Sequence, residues 1–239
     1  SNTLGNAFNV INNTIGYSSS TGTGTTTMTA ATTLVFHAIS LSVGNSTPSS
    51  VQGNTISGFN FTTTSTSATV GGAFCGINVT SGTVNIGNVT PNIIGAATGN
   101  GAITATINTS TGGTVVGING SAANPAAINI QNNVIGSITL TNGSTTVGGG
   151  IQGIQISSTG SYSVTGNTIG STTTANSFNM PTVTTGTQLL YGVNSSTTIT
   201  NIVQPIISNN TIANLTASGT GTGSAAAGII NTSNASATI

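Results

Sequence analysis

The chain repeats one pattern of apolar and polar positions six times. A Val or Ile is followed three residues later by an asparagine, and an Ile follows two residues after that, as in Val164, Asn167 and Ile169. Neighbouring copies are roughly 40 residues apart, and a fixed pattern with a period of about 20 to 50 residues indicates stacked repeats. We call these asparagines the asparagine column: Asn13, Asn54, Asn92, Asn133, Asn167 and Asn210.

Two apolar columns accompany the asparagines. The first consists of the Ile that follows each asparagine, and the second consists of an Ile or Val that comes after Gly, or after Ala38 in the first repeat. We predict that both columns stack inside the fold. Their members are Ile15, Ile56, Ile94, Ile135, Ile169 and Ile212 in the first, and Ile39, Ile77, Ile118, Ile154, Val193 and Ile229 in the second.

The local pattern favours short strands over helices. Thr, Ser, Asn and Gly are poor helix formers, and runs such as Ser161 to Val164 alternate with a period of two. We predict three strands per repeat: one at Asn-Thr-Ile, one at Gly-Ile, and one just before the Val or Ile that precedes the next asparagine. The Thr-rich segments between Asn-Thr-Ile and Gly-Ile vary in length and are interpreted as loops.

These features predict an all-β fold, a single-stranded, right-handed parallel β-helix of about six coils. The whole chain, 1–239, forms one segment and belongs to a longer repeat array in this interpretation. No apolar run is long enough to cross a membrane, and Ser1 does not open a signal peptide. The predicted repeats lie near residues 8–50, 51–88, 89–129, 130–163, 164–206 and 207–239.

The asparagines are expected to bond to one another along the stack, because a lone buried amide is costly whereas a continuous column satisfies its own members. The functional alternative is ligand or metal binding. Neutral amide oxygens without carboxylates make weak calcium ligands, so the structural interpretation is preferred.

The composition excludes most chemistry. The chain has no Lys, Arg, Asp or Glu. Acid–base catalysis and glycoside hydrolysis need titrating groups that are absent, phosphate binding needs cations, and one His with one Cys cannot complete a zinc site. We therefore predict no enzyme activity, no catalytic residue, no metal, no cofactor and no nucleic-acid partner. An uncharged surface also lacks electrostatic repulsion, which favours self-association.

The one cysteine and the one histidine of the chain have side chains that could take part in a reaction. Cys75 lies in an apolar window and is interpreted as a buried small hydrophobe, with a reactive or intermolecular thiol as the alternative. His37 occupies a position that later repeats fill with Cys75, Val116, Gln152, Tyr191 and Ala227. We interpret this position as outward-facing and tolerant, and His37 as a surface histidine without a role.

Threonine runs suggest ice binding as a further function, since flat β-helices with threonines in aligned rows can bind ice. Thr25–Thr27, Thr62–Thr64 and Thr172–Thr174 are such runs. They fall in segments interpreted as loops of unequal length, which disfavours a regular lattice of hydroxyls.

Several strings resemble repeats of very large secreted β-helix proteins of Bacteroidetes-type bacteria. They are residues 12–16 (Asn-Asn-Thr-Ile-Gly), 166–177, 191–193 and 208–215. The resemblance covers the whole chain and implies export to the cell surface. Relatives of this class carry some charged residues, and their absence here is a departure that favours a filament.

The sequence therefore predicts a structural repeat unit of an extracellular filament or giant adhesin. It would stack head to tail, within one longer polypeptide or between subunits, and pack sideways against similar chains. The alternative is a module that binds carbohydrates or another surface, with surface glycans as partners. Neither interpretation involves insertion into a membrane.

Overall fold

The structure is a computed structural model that describes residues 5–65, 71–123, 125–197 and 205–232. In these ranges the regular elements are β-strands. They are β1 (Asn9–Ile11), β2 (Thr14–Gly16), β3 (Thr26–Thr29), β4 (Phe36–Ser42), β5 (Ser49–Gln52), β6 (Thr55–Ser57), β7 (Phe59–Thr63), β8 (Phe74–Ser81), β9 (Val84–Ile86), β10 (Ile93–Gly95), β11 (Ile103–Ile107), β12 (Thr114–Gly120), β13 (Ala127–Gln131), β14 (Val134–Gly136), β15 (Ile138–Asn142), β16 (Gly149–Ile156), β17 (Ser161–Thr165), β18 (Thr168–Gly170), β19 (Phe178–Met180), β20 (Gln188–Ser195), β21 (Ile206–Ser208), β22 (Thr211–Ala213), β23 (Leu215–Ala217) and β24 (Ala225–Asn231).

The strands form four parallel sheets of six strands each, and every strand from β1 to β20 pairs with the strand four places later in the chain. One coil therefore contributes one strand to each sheet, so the first coil is β1–β4 and the sixth is β21–β24. The first sheet begins at β1, the second at β2, the third at β3 and the fourth at β4. The predicted parallel β-helix of about six coils is confirmed. Neighbouring coils are separated by about 4.8 Å, the spacing of paired strands.

The prediction of three strands per coil is wrong, because each coil has four. The strand that was missed belongs to the third sheet and lies in or beside the Thr-rich segment interpreted as a loop. In β11, for example, Ile103, Ala105 and Ile107 are buried, whereas Thr104 and Thr106 alternate with them and are partly exposed. Threonine favours strands when it lies on the outer face of a half-buried sheet.

The two predicted apolar columns lie in register. In the second sheet Ile56 pairs with Ile15 on one side and with Ile94 on the other, and the column continues to Ile212. In the fourth sheet the column runs in the same way from Ile39 to Ile229. Members in the inner coils are fully buried, whereas Ile15, Ile212 and Ile229 at the ends are partly exposed. Each fully buried side chain stabilises the fold by about 1.5–3 kcal/mol.

The corner before the asparagine column requires a left-handed backbone in most coils. The residue before the column asparagine has a positive φ in five coils, with values between 56° at Asn209 and 68° at Gly166. Asn and Gly adopt this conformation at the lowest cost, which explains the repeated Asn-Asn and Gly-Asn pairs. The third coil has Pro91 at this place instead.

A column of glycines faces the isoleucines of the second sheet across a narrow interior. A Cβ at Gly153 would lie 2.6 Å from the Gly192 carbonyl oxygen and 2.6 Å from Ile169 Cγ2. A Cβ at Gly117 would lie 2.5 Å from the Gly153 carbonyl oxygen and 2.6 Å from Ile135 Cγ2. Gly76, Gly117, Gly153 and Gly192 are thus required by space, since an isoleucine of the second sheet and a carbonyl of the next coil already fill the place of a Cβ.

Candidate functional site

The asparagine column is a continuous ladder of hydrogen bonds. At every junction the backbone N–H and the side-chain Nδ2 of one asparagine donate to Oδ1 of the asparagine in the next coil, as Asn133 does to Asn167 at 3.0 Å for both bonds. The amide of that next asparagine donates in turn to a carbonyl of the preceding coil, as Asn167 does to Ile130 at 3.0 Å. The same geometry recurs at the other junctions.

The inner members of the column, Asn54, Asn92, Asn133 and Asn167, are fully buried. Each of their Oδ1 atoms accepts two hydrogen bonds from the preceding coil, which occupies the lone pairs that a ligand would need. The predicted asparagine ladder is confirmed. The geometry assigns these residues to holding coils in register rather than to binding.

The outer face of the third sheet carries two parallel rows of polar side chains. Thr104 and Thr106 pair with Thr139 and Thr141 of the next coil, and the same alignment extends through the neighbouring strands. One row contains Thr27, Asn60, Thr104, Thr139, Asn179 and Thr216, and the other contains Thr29, Thr62, Thr106 and Thr141. We call this surface the threonine face.

The prediction that the threonine runs lie in loops is wrong in part, because two of the three runs overlap strands. Thr26, Thr27 and Thr62 are strand residues, and only the run at Thr172 to Thr174 lies outside the strands. Two hydroxyls on the face have protein partners: Thr104 donates to the Gly101 carbonyl and Thr216 to Asn176 Oδ1. The other six threonines form no side-chain hydrogen bond within the described ranges, so their hydroxyls are free to bind water.

The fourth sheet differs from the prediction at the position of His37. This column was interpreted as outward-facing and tolerant, but Cys75 and Val116 are fully buried there and Tyr191 is only 8% exposed. The expectation is wrong for these three coils, and His37, Gln152 and Ala227 in the same column are partly exposed. The prediction that Cys75 is buried is confirmed. Burial raises the pKa of its thiol, which disfavours the thiolate form that reacts as a nucleophile.

His37 belongs to a chain of amides on this sheet. Asn119 Nδ2 donates to Asn78 Oδ1 at 2.8 Å, which fixes the Asn78 amide so that its Nδ2 donates to His37 Nδ1 at 3.1 Å. The imidazole must be neutral to accept this bond. Burial lowers the pKa of His37, and the nearby Gly72 carbonyl partly offsets the effect without reaching hydrogen-bonding geometry.

A small loss of stability in mild acid is the expected consequence of this network. The unfolded chain takes up a proton at His37 more readily than the folded chain, so the free energy of unfolding decreases as the pH falls below about 6.5. Thermal melts between about pH 7.5 and pH 5.5 should show a lower Tm in acid. A His37→Gln variant should melt at a temperature independent of pH over this range. An equal decrease in the variant would assign the effect to another group.

An open groove of about 390 Å³ crosses three coils beside the fourth sheet. Its lining is glycine backbone at Gly112–Gly113 and Gly148–Gly150 with Thr, Gln152 and Leu189. The lining is uncharged, so it offers a ligand backbone and neutral side-chain hydrogen-bonding groups but no ion pair. The predicted binding of surface glycans stays a prediction.

No group of three or more potential metal ligands and no helix able to span a membrane occurs within the described ranges. Comparison with protein-family models, with curated protein sequences and with solved structures found no match to the chain.

Proposed function

We propose that this chain is a structural repeat unit of an extracellular filament or giant adhesin, built by stacking along the coil axis. The observation that carries the proposal is the contrast between inner and end coils. Ile56, Ile94 and Ile135 are fully buried, whereas Ile15 and Ile212, which occupy the same column at the two ends, are partly exposed. The edges of the first and sixth coils are unpaired among the described strands, and unpaired edges recruit further strands.

The absence of charge supports the same function. Natural proteins block strand edges with charged residues, above all Lys, and none is present in this chain. Neighbouring chains also meet no electrostatic repulsion as they approach, either along the axis or side by side. Four continuous backbone ladders and a buried asparagine column then resist separation of the coils, which suits a load-bearing element at a cell surface.

Electron microscopy and sedimentation of the purified chain test this proposal. We expect fibres of uniform width whose length increases with protein concentration. Because the association involves no charges, the extent of assembly should be nearly the same in about 0.05 M and about 0.5 M NaCl. A chain that stays monomeric at high concentration would contradict the proposal. Dispersed particles that bind glycans on an array would favour the carbohydrate-binding alternative.

The threonine face favours a second candidate function, the binding of ice. Outward residues lie about 6.7 Å apart along a strand and about 4.8 Å apart between coils, so the hydroxyls form a rectangular array. The array repeats at a regular spacing across the coils, and a regular array of hydroxyls is the feature by which such a face would order water molecules. Threonine also offers a methyl group beside each hydroxyl, which suits a surface that orders water without charge.

Ice binding predicts a local effect of mutation. Thr106→Lys places a long charged side chain in the middle of the array and should abolish thermal hysteresis and ice shaping. Thr98→Lys adds the same charge at an exposed site outside the strands and should leave both unchanged. An original chain that neither shapes ice crystals nor slows their recrystallisation would exclude this function.

A further inference from the structure

The asparagine column has a direction, and the two ends of the stack therefore differ. At each of its junctions the N–H and Nδ2 of the earlier coil donate to Oδ1 of the later coil, over distances between 2.8 and 3.2 Å. The residue after the later asparagine donates its N–H to the backbone carbonyl of the earlier asparagine, as Thr168 does to Asn133 at 2.9 Å. No junction has the reverse arrangement.

The first coil ends the column with an acceptor. Asn13 donates towards Asn54, and among the described residues nothing donates to Asn13 Oδ1 or accepts from the Thr14 N–H. Both residues are exposed. We call this end, formed by β1–β4, the head.

The sixth coil ends the column with donors. Asn210 Oδ1 accepts from Asn167, and Asn210 Nδ2 donates to the Val164 carbonyl at 2.9 Å. Its backbone N–H, its second amide hydrogen and its backbone carbonyl have no partner in the described part of the chain. We call this end, formed by β21–β24, the tail.

We propose that the tail of one copy of this chain docks on the head of a second copy, with Asn210 donating to Asn13 Oδ1 of that copy. This inference rests on the proposed assembly and specifies its direction and atoms. Docking reproduces the interior bonds: the N–H and Nδ2 of Asn210 to Asn13 Oδ1, and the Thr14 N–H to the Asn210 carbonyl. It also places Ile15 over Ile212, which continues the isoleucine column and covers both side chains.

The opposite orientations fail on the same atoms. Two heads would bring two Asn13 Oδ1 acceptors together with only the Thr14 N–H as a nearby donor, and two tails would bring the N–H and amide donors of two Asn210 residues together with only the Asn210 backbone carbonyl as an acceptor, so neither orientation reproduces the interior bonds. Burying an unsatisfied polar group costs about 1–3 kcal/mol. Backbone edges alone pair in either sense, so it is the asparagine column that makes the assembly polar.

The first experiment weakens the donor at the tail. Asn210→Asp keeps an oxygen that accepts from Asn167, but it loses the amide hydrogens and faces Asn13 Oδ1 with a second oxygen. We expect the protein concentration needed for assembly, measured by sedimentation, to rise at least about tenfold. Asn100→Asp adds the same charge at an exposed site and should change that concentration less than about twofold. Circular dichroism checks that both variants are folded.

The second experiment reads the orientation directly. In the proposed contact Thr14 of one copy lies beside Thr211 of the other, and both residues are exposed. A short bifunctional maleimide should join T14C to T211C proteins when they are mixed, and should join neither protein to itself. The original chain is the control, since Cys75 is buried and should not react.

The possible outcomes separate the two proposals. Assembly that is unaffected by Asn210→Asp, or T14C that cross-links to itself as well as it does to T211C, would overturn the polar contact and leave the filament proposal intact. A chain that never assembles would remove both. Loss of assembly in Asn210→Asp together with cross-linking only in the mixture is the result expected.

Discussion

Replacing Asn133 by aspartate is expected to destabilise the fold by about 3–5 kcal/mol, the effect of an uncompensated buried charge. Asn133 is fully buried, and its Nδ2 donates to the Ile86 and Gln131 carbonyls and to Asn167 Oδ1, each at 3.0 Å. Aspartate would turn these three contacts into approaches of oxygen to oxygen. The chain supplies no cation to compensate the charge, since it contains neither Lys nor Arg.

Chemical denaturation followed by circular dichroism measures this loss, and Asn100→Asp is the matched control at an exposed site. Burial raises the pKa of the new carboxyl, so the destabilisation should shrink as the pH is lowered towards about 4, where the carboxyl becomes neutral. Equal stability of the two variants at neutral pH would show that the column is not a buried ladder in solution.

Replacing Gly153 by alanine is expected to lower the free energy of unfolding by about 1–3 kcal/mol through overpacking. The added methyl would lie 2.6 Å from the Gly192 carbonyl oxygen and from Ile169 Cγ2. The φ of Gly153 is not positive, so the effect measures space and not backbone strain. The carbonyl belongs to the next coil and cannot move without disturbing the fourth sheet.

Gly228→Ala is the control within the same column. Its Cβ would be 3.9 Å from the nearest side-chain atoms, those of Ile212, because no described coil lies beyond it. This variant should be neutral or slightly stabilising, since alanine reduces the entropy of the unfolded chain. Equal losses at Gly153 and Gly228 would contradict the narrow interior.

The elements that sequence reasoning predicted are those in which neighbouring coils must match. Asn92 satisfies its hydrogen bonds only if Asn54 and Asn133 occupy the same position in the neighbouring coils. The sequence therefore repeats an asparagine once per coil, and this repeat can be recognised without the structure. The isoleucine columns follow the same rule, because a shift of one residue would turn Ile94 away from the interior.

The parts that were missed depend on what covers a side chain. Thr104 and Thr106 have loop-like polarity, and only the burial of Ile103 and Ala105 beside them shows a strand. Cys75 and Val116 occupy a position that was interpreted as outward-facing and yet are fully buried, and local periodicity does not encode this burial. The repeated Gly-Ile pairs were recognised as a pattern, but the reason for the glycine was not. Ile135 and Ile169, on the opposite side of the interior, leave no room for a Cβ at this position.

The residue after each column asparagine donates its backbone N–H to the preceding coil, and this hydrogen bond affects how easily the asparagine deamidates. Deamidation begins when that same backbone nitrogen attacks the side-chain amide carbon and closes a succinimide ring. In the inner and sixth coils this nitrogen is held as a donor in the ladder, as at Val134 and Thr211. Only Thr14 lacks such a bond among the described coils. Spontaneous conversion of the column to aspartate should therefore start at Asn13, and a unit whose exposed end is covered by a neighbour is protected from it.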